Sequence, residues 1–167
     1  MSNIENLSPQ YVNSILHDLA MNFWLERGDA TKFKVYNVGR DYLRDKTEHF
    51  HAGQTLDDVV STVAELLKRY RVVDELQHTL QERVLLDNAQ QYGQVRVLEL
   101  RMGGCVHHAT ELKLAERGVP PFVCPVLNII SHALLQNHQV ISELASIKVC
   151  DQESCRVQVV LFDEKAE

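Results

Sequence analysis

Residues 124–155, CPVLNIISHALLQNHQVISELASIKVCDQESC, decide how this chain is read. Cys124 stands at an N-cap position and Pro125 at the first helical position, where its missing N–H costs nothing and its fixed φ suits the turn. Val126, Leu127, Ile129, Ile130, Ala133, Leu134 and Leu135 then make the segment apolar nearly all round, the mark of a deeply buried helix. Beyond it, Ile147–Cys150 and Cys155–Phe162 flank the turn Asp-Gln-Glu-Ser, and Val157, Val159, Val160, Leu161 and Phe162 form the most β-prone run in the chain. A buried helix feeding a terminal hairpin predicts an α+β fold, with helices packed on one antiparallel sheet.

Working outward, Val95–Leu100 reads as a strand. Arg71–Asp87 stays open between helix and strand, because Val72, Leu76, Leu80 and Val84 recur every four residues. As a strand it makes a hairpin with Val95–Leu100 across the polar link Asn88–Gln94. Thr55 caps a helix with Asp57 and Asp58 in its first turn and a stripe of Leu56, Val59, Val60, Val63, Leu66 and Leu67. Ser8-Pro9 opens another, carrying Ile15, Leu16, Leu19, Ala20 and Phe23 through Trp24 and ending at Gly28-Asp29. Phe33–Tyr36 reads as a short strand, and Gly39-Arg40 opens a helical segment to about His49. Thr110 starts a helix that stops at Gly118 before Pro120-Pro121. No repeat or long linker divides the chain. It is read as a single domain over 1–167, with a helical part at 8–70 and a sheet-and-helix part at 71–163.

The 167 residues are 45% hydrophobic and 24% charged, with a net charge of −6. Acidic balance argues against a broad nucleic-acid or anionic-membrane surface, which needs clustered positive charge. The first residues show no basic leader followed by an apolar stretch, and no apolar run approaches the ~18 residues of a membrane span. The expected location is the cytoplasm, where four cysteines are free thiols or metal ligands before they are structural disulfides.

Three of those cysteines lie in the opening stretch. Residues flanking a four-residue hairpin loop face each other, which makes Cys150 and Cys155 neighbours at ~4.5–5.5 Å between Cβ atoms. That spacing suits two thiolates on one zinc better than a disulfide. Cys124, at a helix start, is placed where free N–H groups and the dipole favour a thiolate. With Cys105, His107, His108, His132, Glu143 or water at the fourth corner, Cys124, Cys150 and Cys155 make a candidate zinc site. Inert core thiols are the competing reading, and a regulatory disulfide is the third. The run GGCVHH, Gly103–His108, invites a cysteine nucleophile with a histidine base, but neighbours two or three apart rarely attain that geometry. The glycines are instead read as a strand break and the histidines as solvated or pocket-lining. No dinucleotide, P-loop, zinc-protease, nucleophile-elbow or haem-attachment motif is present.

Gly39-Arg40, Cys124-Pro125 opening an apolar helix, and Cys150 and Cys155 followed by a strand resemble the 4-vinyl reductase domain family. The resemblance is loose over most of the chain and closer over residues 100–163. It implies a ligand-binding fold similar to the small vesicle-tethering subunits of the transport-particle complex, commonly dimeric. Members include aromatic-sensing domains of bacterial regulators and proteins of bacteriochlorophyll and chlorophyll pathways. Where such domains bind zinc, the resemblance assigns Cys124, Cys150 and Cys155 as ligands, with an acidic residue three positions before the second cysteine. Ile147 occupies that position here, and Glu143 is the acid nearby.

The resulting expectation is a non-enzymatic, homodimeric module with a regulatory or assembly role. It would bind a hydrophobic small molecule, a tetrapyrrole being one candidate, between the helix Pro125–Gln136 and the sheet. Phe23, Trp24, Phe122 and His132 are the candidate ligand-binding residues. The rival readings are a dimeric scaffold or photosynthetic assembly factor without ligand, and a component of a tetrapyrrole-vinyl reductase.

Overall fold

The computed structural model describes residues 8–28, 30, 37–44, 55–87, 90–150 and 154–163. In chain order the elements are α1 (Pro9–Arg27), α2 (Asp41–Arg44), α3 (Leu56–Arg69), β1 (Glu75–Asp87), β2 (Gln90–Gly103), α4 (His108–Glu116), α5 (Pro125–His138), β3 (Val140–Cys150) and β4 (Ser154–Asp163). The strands form one sheet in the order β1-β2-β4-β3, antiparallel at each pairing. The fold is α+β with helices packed on an antiparallel sheet.

Alternation decides which face of the sheet is covered. Leu98, Leu100 and Met102 on β2 and Cys155, Val157, Val159 and Leu161 on β4 are all buried and face the helices. Between them Glu99, Arg101, Arg156 and Gln158 occupy the opposite face. There Arg101 Nε donates to Glu99 Oε1 at 3.1 Å and Gln158 Nε2 donates to Glu99 Oε2 at 3.3 Å. These bonds, with Arg156 nearby, hold the Glu99 carboxyl below its ordinary range. On the covered face α3 contributes Val59, Val60, Val63, Leu66 and Leu67, and α5 contributes Val126, Ile129, Ile130, Ala133 and Leu134. Each Val, Leu or Ile among them contributes ~1.5–3 kcal/mol when fully buried.

Local chemistry starts these helices where the sequence places them. Asp58 N donates to Thr55 Oγ1 at 3.1 Å while Thr55 N donates to Asp58 Oδ2 at 3.0 Å, a reciprocal cap on α3. Asp57 in the same turn reaches His78 on β1, Oδ1 to Nε2 at 2.8 Å, tying helix to sheet. Cys124 caps α5 by accepting the Leu127 N–H on its sulfur at 3.4 Å.

The structure departs from the sequence reading at several boundaries. Arg71–Asp87 resolves as a strand only from Glu75, after a turn in which Arg71 takes φ 57°. The first hairpin is longer than its apolar pattern, with β2 beginning at Gln90 inside the polar link. There the backbone pairing with β1 carries the strand past its apolar pattern. The helix read from Thr110 begins at His108. In the terminal hairpin Cys150 pairs with Ser154 and Cys155 with Val149, so the two cysteines are offset by one position and are not cross-strand partners. Ser154 belongs to β4, which leaves three residues between the strands. The strand read at Phe33–Tyr36 and the helix beyond Arg44 lie outside the described residues.

Candidate functional site

β2 ends at Gly103-Gly104, and Gly104 takes φ 60° where any Cβ would overlap the Asp74 side chain. The chain therefore turns sharply there. Val106 N bonds Val72 O at 3.0 Å, and His108 N bonds Cys105 O at 3.0 Å as α4 begins. This turn aims His107, Thr110, Glu111 and Leu114 toward α1, which lies across α4. Thr110 Oγ1 fastens the crossing by donating to Asn13 Oδ1 at 3.1 Å.

Between these helices lies a cavity of about 500 Å³. Leu16, Leu19, Ala20 and Phe23 of α1 form one wall, and the α4 residues form the next. Pro121, Phe122 and Val123, with Pro125 and Ile129 of α5, form the third. Val38, Gly39, Tyr42, Val72 and Val106 complete it. Gly39 has φ 92°, and a Cβ there would sit 3.1 Å from Pro125 O, so only glycine lets this loop press against the start of α5. Asn128 Nδ2 secures it by donating to Val38 O at 2.8 Å.

Among the described residues no strand residue lines the cavity. The sequence reading places the pocket between the Pro125–Gln136 helix and the sheet, but that space is filled by Leu67, Leu98, Leu100, Met102, Ile130 and Leu134, each less than 3% exposed. Of the four candidate ligand-binding residues, Phe23 and Phe122 share the cavity wall. Trp24 stacks on Phe122 with centroids 5.6 Å apart, in the small cluster that supports that wall. His132 lies at a separate, smaller pocket with Asn37 and Arg40.

Glu111, which the sequence reading passed over, and Thr110, which it read only as a helix start, are polar members of the wall, with His107 beside them. Glu111 is 7% exposed, and its Oε2 has no hydrogen-bond partner among the described residues. Burial pushes its carboxyl up to about 7. Burial also pushes the His107 imidazole down. The signal for Glu111 was its spacing, three residues from both His108 and Leu114, which puts an acid on the inward face of α4.

Cys105, Cys124 and Cys155 are buried and joined in no disulfide among the described residues. Cys124 corrects the helix-start argument, because burial outweighs the N–H contact and pushes the thiol well up, with Glu111, Cys105 and Cys155 adding to the rise. Burial likewise pushes Cys105 up, against a nucleophilic role for the Gly103–His108 run. Among the described residues no group of three or more His, Cys, Asp or Glu side chains is placed to hold a metal ion, and the side chain of Cys150 lies outside them. No helix among the described residues is long and apolar enough to cross a membrane.

In fold, the chain matches a phenol-responsive sensory domain. The crystal structure of that domain, from the transcription activator PoxR with phenol, aligns at a TM-score of 0.53 and 13% identity. The alignment covers 92% of this chain and 74% of the other. The likeness agrees with the α+β architecture of helices on an antiparallel sheet. No family model matches the sequence, and no curated protein matches it.

Proposed function

We propose that this chain is a sensory binding module that takes a small, largely apolar, ring-bearing molecule into the cavity between α1, α4 and the start of α5. The observation that carries the reading is the cavity. It is about 500 Å³, within the ~300–1,000 Å³ usual for small-molecule sites, and walled by apolar side chains with only a few polar groups. The PoxR sensory domain, which shares the fold, is phenol-responsive, and that likeness favours a monocyclic or bicyclic aromatic. A tetrapyrrole with carboxylate arms fits the described wall less well, because it carries no Lys or Arg and its one acid is Glu111. In this reading the protein couples ligand occupancy to a partner or to its own assembly and performs no reaction.

The test is calorimetric titration with phenol, indole and 2-naphthol, beside melting curves. At least one should bind and raise the melting temperature. Ala20→Phe, which fills the cavity from α1, should abolish binding while the protein stays folded. Absence of binding by all three, or unchanged binding in Ala20→Phe, would count against the reading.

Self-association is the second part of the proposal. α1 has no buried residue, and Tyr11, Val12, Ile15, Leu19 and Leu25 are exposed on it. A second copy covering α1 would remove these side chains from water beside the ligand cavity.

A further inference from the structure

Glu111 is hard to explain as a structural residue. It stands on a wall built mainly from apolar side chains, with Thr110 and His107 as the other polar members, and its Oε2 accepts no hydrogen bond among the described residues. Among the described residues no Lys or Arg lines the cavity to serve as its counter-ion. The other ionisable groups coupled to this region are the Cys105 and Cys124 thiols, whose ionisation would add negative charge. His107 precedes Glu111 by one helical turn and shares the wall. A buried, unpaired acceptor carries a desolvation cost that a hydrogen-bond donor offsets.

We infer that the cavity is built for an apolar molecule bearing a primary amine, whose ammonium group donates to the Glu111 carboxylate while its hydrophobic body fills the space between Phe23, Phe122 and Tyr42. The inference rests on the cavity being the ligand site and names the chemical class it takes. An ammonium supplies the positive charge the wall lacks and makes a charge-assisted hydrogen bond, roughly twice as strong as a neutral one. The aromatic rings reinforce this choice, since their faces attract cations. A carboxylate or phenolate would instead bring negative charge to a site whose fixed charge is already negative. A neutral alcohol can donate one hydrogen bond to the carboxyl but leaves any charge on Glu111 uncompensated.

Four molecules of nearly equal shape separate these cases: 2-phenylethylamine, 2-phenylethanol, phenylacetate and ethylbenzene, titrated calorimetrically at pH 7.5. The amine should bind about tenfold tighter than the alcohol, and phenylacetate should bind weakest. Glu111→Gln keeps the shape and removes the charge. In it the amine should lose about tenfold in affinity while the alcohol changes less than about threefold. The ranking in the unaltered protein needs no variant, so a poorly folding Glu111→Gln does not leave the idea untested. Alcohol and ethylbenzene binding as well as the amine would overturn this inference and leave the cavity reading standing. An amine preference that survives in folded Glu111→Gln would also overturn it. Binding by none of the four would overturn this inference, and the phenol, indole and 2-naphthol titrations would then decide the cavity reading.

Discussion

Burial controls the chemistry of single residues here, and Glu111 shows the sign. Its carboxyl sits at about 7 in the folded chain, above its ordinary 4.5. A raised carboxyl contributes stability that is fully present below the unfolded value and is lost as pH rises through the folded one. The unliganded protein should therefore weaken between about pH 4.5 and 7. Glu111→Gln should remove that slope and be more stable than the parent at pH 8 by on the order of 1–3 kcal/mol, the advantage vanishing near pH 4. Urea melts at pH 4, 6 and 8 read this directly. Cys124 gives the companion case. Fully enclosed, with its pKa raised, it should resist alkylation in the native state and react only on unfolding, as should Cys105 and Cys155. Mass spectrometry after brief iodoacetamide treatment at pH 7.5 checks this, and rapid native labelling of Cys124 would contradict the burial argument.

Among the elements, the glycine turns and helix caps set where each wall stands. Gly104 and Gly118 both have positive φ, but only Gly104 meets a neighbour, Asp74, where Gly118 faces open space. Gly104→Ala should cost more stability than Gly118→Ala, by about 1–3 kcal/mol if the Asp74 side chain cannot move aside. Equal denaturation midpoints would mean that the β2–α4 turn relaxes freely. Thr55→Ala removes half of the reciprocal α3 cap and should cost about 1 kcal/mol. These elements differ in how much of them was legible. The α3 stripe and cap, and the Cys124-Pro125 start of α5, depend on residues within a turn or two of one another, and the sequence reading found them. The polar beginning of β2 was not legible, because its ladder bonds come from β1 rather than from its own side chains.

At the scale of the molecule, the two halves of the sheet-and-helix arrangement are unequally covered. α3 and α5 seal one face of the sheet, whereas α1 rests on α4 with Leu25 74% exposed and Tyr11 58% exposed. If the proposed self-association uses α1, sedimentation at micromolar concentration should give twice 19.1 kDa. Ile15→Glu, on the exposed side and not in the cavity wall, should return a folded monomer. A clean monomer in the parent protein would remove that part of the proposal.

What the sequence determined by itself was local and periodic: the helix starts at Pro9, Thr55 and Cys124, the buried character of α5, the alternation in β4, and through these the α+β class. Those features follow from contacts within one turn or one pleat, so the order of residues is sufficient to specify them. The site was decided at longer range. Asn13 meets Thr110 across 97 positions, and Val38 meets Asn128 across 90. The cavity exists because these distant segments hold α1, α4 and the Gly39 loop apart around it. The thiol of Cys124 shows the same division in one side chain. Its place at a helix start is written in the sequence, but its raised pKa comes from the surrounding packing, and a helix end stabilises a thiolate only where the fold lets water help.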